Sequence, residues 1–456
     1  MYIYYMNAVN AWVLYRFGGF MSVLSTNSVF TSLQQSGPFT VSEHSLNIGR
    51  FSQQTRQWLK NLQKNPNNVT KYRALRSQIF EFLGVDDFEQ IQTLISDKAL
   101  REKRSERALC LLGNMFGING NLNEIKSRVD EYSRTADAVI HSIIGKILSP
   151  YASHIEATNE IEVTNNPVEL LLIMFNDGYH KKARFEARRK LILMTLAASI
   201  DQRERETDIE SKFSAFLAFL NGYVWSPNLK IGELDPVYLY SKHRPEDFSC
   251  NAVTVLDPAQ AKLIQLAKGE KLTLLKRRSF TVGVKKTPIY VSIRKKPPQA
   301  KVLKLLRKNQ KNPAVAVDDE LGLMAVLDSV SDVKAFQQHL TRSASKANSL
   351  MVLEDISDTL SEHSQYQGRA VGSSDKTAMM KFFARLGGMR VEFIIHTNKT
   401  WLNYRYQQDV AHNEYEVKRI FDTGVIELLF PMDIFHLKHL KTRDEMVQFF
   451  RKQIES

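Results

Sequence analysis

A dense group of residues that could bind phosphate lies between positions 294 and 308, where the chain reads RKKPPQAKVLKLLRK. The pattern predicts a strand that ends near Arg294 and Lys296. A short helix follows and places Lys304 and Lys308 four positions apart on one face. Because a helix N-terminus adds positive partial charge, such a strand–helix unit could present several cations to one triphosphate. The same residues could instead form a solvated basic surface or an RNA-binding stripe.

An acidic turn at residues 318–320 follows this segment and leads into an apolar strand predicted over 321–327. Mg²⁺ in proteins takes one or two carboxylates together with phosphate oxygens. A carboxylate at the start of a buried strand, close to phosphate-binding cations, is therefore suited to a Mg²⁺–nucleotide site. We identify Asp319 as the candidate ligand, with an ordinary acidic turn before a strand as the alternative.

Strands and helices alternate around these residues, as the periodicity of the apolar positions predicts. The expected strands cover 289–294, 321–327, 349–353, 379–386 and 390–396. The expected helices cover 297–307, 330–339 and 399–421. The glycine pair at 387 and 388, between two strands, is typical of a two-residue hairpin turn. This alternation predicts an α+β fold in which helices flank a mixed sheet.

The first half of the chain is predicted to be helical, because apolar residues recur at helical spacing between suitable capping and stop residues. The predicted helices cover 70–83, a segment from 86 that breaks near Gly113 and Gly117, then 121–148, 165–197 and 208–222. No motif assigns a role to this half. The resulting division is a disordered leader over 1–40, an all-helical domain over 41–223, a linker over 224–270, the mixed domain over 271–425 and a C-terminal helical tail over 426–456.

The charge of the chain points to a polyanionic partner. Its 456 residues carry a formal net charge of +13, and sixteen Lys and Arg residues lie between Lys262 and Lys311 against Glu270 alone. A basic stretch of this kind suits nucleotide phosphates, tRNA or another RNA. The composition, with 43% apolar and 24% charged residues, is ordinary for a globular protein and excludes wholesale disorder.

Cysteine usage and hydropathy exclude further classes of protein. Cys110 and Cys250 are too few for a disulfide scaffold or for a zinc cluster made of cysteines. Asn7, Asn10 and Arg16 interrupt the most apolar stretch, so no membrane-spanning segment is predicted. We therefore expect a cytoplasmic protein with reduced cysteines and no membrane partner, and its oligomeric state is left open.

Four motifs in register over residues 285–420 resemble the synthetase domain of RelA/SpoT-type alarmone synthetases. That family reads approximately R-x-K-x-x-x-S-I-x-x-K-L-x-R-K followed by D-x-x-G-x-R-I, and here RKKPPQAKVLKLLRK is followed by DELGLMAVL. The residues that fall on the family's basic positions are Arg294, Lys296, Lys304, Arg307 and Lys308. Those that fall on the other motifs are Asp319 and Gly322, then Glu392 of a V-E-x-Q-I-R-T strand, and finally His412 and Tyr415 of an A-x-H-x-x-Y segment.

The resemblance implies a nucleotidyltransferase-like fold and an ATP-dependent pyrophosphotransferase. In such an enzyme the β,γ-pyrophosphate of ATP moves to the ribose 3′-hydroxyl of GTP or GDP. The resemblance also implies that the basic residues bind the ATP phosphates and that Asp319 and Glu392 hold Mg²⁺, with Glu392 as the alternative base for the acceptor hydroxyl. His412 and Tyr415 would complete the nucleotide site, and a structural role is the alternative for His412.

The chain departs from the family in ways that bear on the acceptor. Ala300 replaces the family's Ser, and Met324 replaces the Arg of D-x-x-G-x-R. The guanine-stacking motif G-Y-R-x-x-H is absent, and Tyr366 is the nearest tyrosine. The acceptor is therefore left open between a guanosine nucleotide and a tRNA 3′-hydroxyl. A catalytically inactive RNA- or nucleotide-binding protein on the same fold, or a basic scaffold without a pocket, is the alternative.

The helical half does not resemble the hydrolase domain that precedes the synthetase in the longer members of this family. The hallmark of that metal-dependent hydrolase is a His-Asp dipeptide. None of the eleven histidines of this chain is followed by an Asp. The role of the helical half is therefore left without a hypothesis from its sequence.

Overall fold

The computed structural model describes residues 66–176, 178–225, 234–310, 312–317, 319–360 and 378–455. These residues form two compact units, and each unit is assembled from separate stretches of the chain. The first unit contains the described residues up to Arg203, together with Pro298–Pro313 and Gly424–Lys438. The second unit contains Glu204–Pro297, Ala314–Thr423 and the described residues from His439 onward.

The helices and strands are numbered here in chain order. Up to residue 297 they are α1 Pro66–Leu83, α2 Phe88–Ser96, α3 Lys98–Met115, α4 Leu122–Lys146, α5 Asn159–Val163, α6 Pro167–Phe175, α7 Lys181–Thr207, α8 Ile209–Phe219, β1 Asp235–His243, β2 Cys250–Leu256, α9 Pro258–Lys262, β3 Glu270–Val282 and β4 Lys285–Lys295. From residue 298 they are α10 Pro298–Arg307, α11 Ala314–Val317, β5 Leu321–Leu327, α12 Val330–Lys346, β6 Val352–Asp358, β7 Met380–Leu386, β8 Met389–Thr397, α13 Asn398–Tyr406, α14 His412–Asp422, α15 Val425–Leu429, α16 Met432–Phe435 and α17 His439–Glu455. Ser149–His154 forms a 3₁₀-helix, and Leu220–Val224 forms a turn of π-helix.

The regular structure of the first unit, in its described part, consists of helices, and local capping explains where several of them begin. Asp87 accepts a hydrogen bond from the Gln90 amide at 2.9 Å at the start of α2. Asn121 and Glu124 form a capping box at the start of α4. Asn166 caps α6 through its side chain. The helix starts predicted near these residues are confirmed.

Three helices that the sequence predicts as continuous are divided. The helix expected from 86 to near Gly113 is α2 followed by α3, because Asp97 between them has an extended backbone and caps α3 through its side chain. The helix expected over 165–197 is α6 followed by α7, because the Asn176 side chain accepts a hydrogen bond from the Gly178 amide at 2.8 Å. This local bond competes with helical hydrogen bonding at the end of α6. The helix expected over 399–421 is α13 followed by α14, and Asp409 between them has φ of 62°. A left-handed residue cannot continue a right-handed helix.

The second unit is built on an eight-stranded sheet in the order β2-β1-β3-β4-β5-β8-β7-β6. β5 and β8 pair in parallel, and the other neighbours pair antiparallel. One face of the central strands is buried against α8 and α12, where Phe216, Phe336 and Phe393 are almost fully buried. The predicted mixed sheet flanked by helices is confirmed. The opposite face of the central strands carries the polar residues described in the next section.

Residues 224–270, predicted to be a linker, contain β1 and β2 of this sheet. The prolines that indicated a loop lie where strand pairing tolerates them. Pro236 lies opposite Lys276 of β3, but β1 pairs with β2 only from Tyr238 onward. The proline therefore interrupts no ladder to a second neighbour. Pro245 lies in the connection between β1 and β2.

Two segments assigned from the sequence to the mixed domain and its tail belong to the first unit instead. Helix α10 buries Val302 and Leu305 and packs against α4. The segment Gly424–Lys438 also belongs to the first unit, where Arg189 donates a hydrogen bond to the Leu429 carbonyl at 2.7 Å. By contrast, α17 belongs to the second unit and packs against α14. The predicted tail over 426–456 is therefore divided between the two units.

The structure also bears on the expectations about cysteines and membranes. Cys110 and Cys250 both carry free thiols, the first exposed and the second buried. Burial raises the pKa of the Cys250 thiol to about 11. Among the helices of the described ranges, none has both the length and the apolar character that crossing a membrane requires.

Candidate functional site

A row of three residues crosses the centre of the sheet on the face opposite α8 and α12. Arg294 of β4 lies opposite Gly322 of β5, and Gly322 lies opposite Glu392 of β8. A Cβ atom at Gly322 would lie 3.2 Å from Arg294 Nε, so the glycine leaves room for the arginine to cross β5. Arg294 Nη2 thereby approaches Glu392 Oε2 at 3.3 Å.

Glu392 has a second cationic partner on the other side of β8. Phe383 of β7 lies opposite Glu392, and Lys381 lies two residues earlier, on the same face of the sheet. Lys381 Nζ is 3.0 Å from Glu392 Oε1. The Lys381 and Glu392 side chains are 8% and 9% exposed, whereas Arg294 is 53% exposed. The Arg294 guanidinium is therefore the cation that a phosphate could reach, and its planar donors suit phosphate oxygens.

Aromatic side chains from the helices that follow β8 lie beside this row. Tyr404 Oη is 3.0 Å from His412 Nδ1, and the Tyr404 ring stacks on His396 with centroids 5.5 Å apart. Burial raises the pKa of Tyr404, and the positive charge of Arg294 opposes this rise. Tyr404 is therefore close enough to the row for its hydroxyl to respond to the charge there.

The protonation of His396 and the position of Tyr415 also affect the chemistry around Tyr404. Burial lowers the pKa of His396 to about 4, so this histidine is neutral at pH 7. Tyr415 lies three residues after His412 on α14, so the two side chains are neighbours on one face of this helix. Arg419 Cζ lies 5.4 Å from the centre of the Tyr415 ring. We refer to the following residues as the Glu392 site: Arg294, Lys381, Glu392, Tyr404, His412 and Tyr415.

Asp319, the predicted metal ligand, pairs with a predicted phosphate ligand. Lys296 Nζ is 2.5 Å from Asp319 Oδ2, and both side chains are about four-fifths buried, at 17% and 21% exposure. Asp319 and Glu392 thus have different cationic partners. No cluster of three or more His, Cys, Asp or Glu that could hold a metal occurs in the part of the chain that the structure describes. Both carboxylates are compensated by Lys or Arg, so holding Mg²⁺ together with phosphate oxygens would require them to exchange these cations for the metal ion.

The other predicted phosphate ligands lie in the first unit. Lys304 and Arg307 belong to α10, and Lys308 follows its last residue. Lys304 is 8% exposed, because α10 turns its apolar side and part of its basic side into the helical unit. The predicted strand–helix unit is therefore divided at residue 297, with Arg294 and Lys296 in the second unit. That Lys304, Arg307 and Lys308 bind the same phosphates as Arg294 stays a prediction.

The residues at which the chain departs from the family pattern can also be located. Met324 lies two residues beyond Gly322 on β5 and packs in an apolar cluster with Trp401 and Tyr404. An apolar side chain packed against this cluster thus occupies the position at which the family has an arginine. Tyr366, the nearest tyrosine to the guanine-stacking motif, lies outside the described residues.

Two members of the Glu392 site were missed by sequence reasoning. Lys381 had a detectable signal, because the alternate residues of β7 are apolar and buried and a lysine between them must face the other side of a central strand. Tyr404 had none, since it meets His412 only because the chain turns sharply between α13 and α14. No periodicity within one helix brings these two residues together.

No protein-family model, no curated protein and no solved structure matches this chain. The Glu392 site is therefore interpreted from its own geometry and from the resemblance of its motifs. It combines a half-exposed arginine, a buried carboxylate held by a buried lysine, and aromatic rings. Such a set of groups suits a ligand that has both phosphate groups and an aromatic base.

Proposed function

We propose that the second unit binds a nucleoside triphosphate at the Glu392 site. We propose further that it transfers the β,γ-pyrophosphate of ATP to the 3′-hydroxyl of a guanosine nucleotide or a tRNA. The 3′-oxygen bonds to the β-phosphorus, the bond from that phosphorus to the α,β-bridging oxygen breaks, and AMP leaves. The observation that carries the proposal is the row formed by Arg294, Gly322 and Glu392, in which glycine lets an arginine cross the sheet to a buried carboxylate. These three residues also fall on matching positions of the RelA/SpoT-like motifs.

Each residue of the row has a distinct role in this proposal. Arg294 turns its exposed guanidinium to the phosphates, because pyrophosphate transfer depends on positioning and on neutralising phosphate charge. Lys381 keeps Glu392 in place through their buried ion pair. Glu392 accepts the proton of the acceptor hydroxyl or holds Mg²⁺ together with Asp319. Asp319 and Glu392 would hold the Mg²⁺ that comes with the nucleotide, and the metal ion would supply neutralisation of phosphate charge.

The aromatic residues of the site support the nucleoside part of the proposal. His412 is exposed and Tyr415 is half-buried, so both can contact a ligand from solvent. Tyr404 is hydrogen-bonded to His412 and fixes the position of its imidazole. An imidazole or a phenol ring held in this way can stack on a nucleobase. In this proposal the base lies beside α14 and the phosphates lie beside β4.

Incubation of the protein with γ-labelled ATP, Mg²⁺ and GTP, GDP or bulk tRNA tests the activity directly. Label should appear on one acceptor, and Glu392→Gln should abolish the transfer. Because this change removes one partner of the buried ion pair with Lys381, it should also lower the free energy of unfolding, so circular dichroism must show that the variant is folded under the assay conditions. Glu246→Gln removes the same charge at an exposed position of the second unit and should leave transfer unchanged. Asp319→Asn separates the roles of the two carboxylates, since transfer that survives this change would exclude Asp319 as a ligand. Absence of label on every acceptor would exclude pyrophosphate transfer.

A second candidate function is a nucleotide- or RNA-binding protein without catalysis on the same unit. The pairing of both carboxylates with Lys or Arg favours it, because compensated carboxylates are not free to hold a metal. In this case Glu392→Gln should leave ATP affinity equal or higher, since Arg294 then loses a competing partner. Calorimetry with ATP, with and without Mg²⁺, distinguishes the two functions.

A further inference from the structure

The sheet of the second unit has a second feature at its other end, on the face opposite the Glu392 site. Tyr238 of β1 lies opposite Leu274 of β3. Tyr240 of β1 lies opposite Leu272 of the same strand. Residues that lie directly opposite each other in an antiparallel pair share one face of the sheet. Both tyrosines and both leucines are therefore neighbours on a single surface.

This surface is not needed to form the core. The reverse face of the same strands is already buried, where Leu239 and Leu275 pack with Trp401. On the surface with the tyrosines, Leu274 remains 46% exposed and the two tyrosines are half-buried. Apolar and aromatic side chains gathered on a solvent-facing sheet indicate a binding surface.

One lysine lies at each end of the tyrosine pair. Lys242 follows Tyr240 on the same face of β1, is 57% exposed and has its Nζ 5.6 Å from the Tyr240 ring centre. Its Nζ also lies 3.2 Å from Glu270 Oε1. Lys276 lies beyond Tyr238, opposite Pro236, and is exposed. Within the described parts of the chain the structure gives Lys276 no ion pair. We refer to the following residues as the tyrosine face: Tyr238, Tyr240, Lys242, Leu272, Leu274 and Lys276.

We propose that the tyrosine face binds single-stranded nucleic acid. Side chains two residues apart on a strand are separated by about 7 Å, which lets each tyrosine stack on a base of its own. Lys276 and Lys242 flank the two rings and can contact backbone phosphates. The charge of this region is complementary to a polyanion, since residues 262–286 contain eight Lys and Arg and one acidic residue. This site is separate from the Glu392 site and does not depend on the proposed transfer.

The test uses the full chain and a fluorescein-labelled twelve-nucleotide oligouridylate, with binding measured by fluorescence anisotropy. Tyr238→Ala and Tyr240→Ala should each weaken binding by about fivefold or more, as expected for the loss of one stacked base. The Tyr→Phe variants at both positions should bind as wild type, because they keep the rings. Tyr223→Ala is the control, because Tyr223 is more exposed than either of these tyrosines, at 46%, and lies in the π-helical turn rather than on the tyrosine face.

Salt dependence tests the lysines independently of the rings. Lys276→Gln should reduce the slope of log affinity against log salt by about 0.7, the contribution of one phosphate contact to a single strand. Lys334→Gln makes the same charge change at an exposed position of α12 and should leave the slope unchanged. An oligothymidylate of the same length shows whether the 2′-hydroxyl contributes.

Three results would overturn the proposal. The first is unchanged affinity in both Tyr→Ala variants, and the second is an equal loss in the Tyr223→Ala control. The third is equal affinity for duplex RNA of the same length, which would indicate charge attraction without base stacking. If the Ala variants do not fold, an unchanged salt slope in Lys276→Gln overturns the proposal on its own.

Discussion

Glu392 pairs with two cations that differ in burial, and this difference predicts that removing each cation lowers the free energy of unfolding by a different amount. Among the described residues, Lys381→Met would leave the buried carboxylate with the half-exposed Arg294, at 3.3 Å, as its cationic partner. Breaking a buried ion pair by removing one partner costs about 3 kcal/mol or more in the free energy of unfolding. Arg294→Met leaves the buried pair intact, so it should cost less than about 1 kcal/mol, as for exposed pairs.

Urea unfolding at pH 7 measures these costs if the signal comes from the second unit alone. Trp225 and Trp401 lie in that unit, so a Trp12→Phe, Trp58→Phe background makes its unfolding visible by tryptophan fluorescence. A single-unit signal is needed because two units need not unfold together. The urea midpoint of Lys381→Met should correspond to a free energy of unfolding about 2 kcal/mol or more below that of Arg294→Met.

A double-mutant cycle tests whether the buried charges of Lys381 and Glu392 act as a pair. Lys381→Met with Glu392→Met removes both buried charges and should recover most of the stability lost by Lys381→Met alone. Equal losses in Lys381→Met and Arg294→Met would refute the reasoning, because burial would then not determine the cost. A double variant whose loss equals the loss in Lys381→Met plus the loss in Glu392→Met alone would refute it as well, because the two charges would then be independent.

Three further predictions concern other parts of the second unit. Burial lowers the pKa of His396 to about 4, so its neutral form contributes stability above pH 6.5 that is lost as the pH falls towards 4. The free energy of unfolding in urea should therefore be about 2 kcal/mol lower at pH 5 than at pH 7, and His396→Gln should remove this difference. Gly322→Ala would place a methyl group 3.2 Å from the arginine Nε and should lower ATP affinity severalfold by calorimetry, while the free energy of unfolding changes by less than about 1 kcal/mol. Arg451 donates a hydrogen bond to the buried Glu414 at 2.6 Å, so Arg451→Met should lower the free energy of unfolding by about 2 kcal/mol and speed amide exchange in α14. Lys441→Met, on the exposed side of α17, should have neither effect.

Local patterns were sufficient to predict the centre of the sheet. The glycine pair between β7 and β8 has positive φ at both positions, 56° and 76°, as a two-residue hairpin with a primed turn requires. β5 was predicted over its observed residues, because a fully apolar run of seven residues suits a strand buried on both faces. These elements depend on residues that are close in sequence.

The parts that the sequence did not reveal depend on long-range contacts. Pro236 indicated a loop, and only the register of β1 with its two neighbours shows why a proline is tolerated there. Helix α10 was placed with the sheet because it follows β4 directly, whereas its apolar side packs against α4, far earlier in the chain. In the Glu392 site, Arg294 and Glu392 were predicted, but the pairing with Lys381 depends on the register of β7 and β8.

The discontinuous make-up of the two units has a consequence for folding during synthesis. Helices α1 to α7 leave the ribosome first, but α10 of the same unit follows only after β1 to β4 have been made. The segment Gly424–Lys438 comes later still, after the last strand. The second unit in turn acquires α17 only after that segment. Neither unit can therefore finish folding before the other has begun, and we expect slow, late folding governed by contacts of long sequence separation.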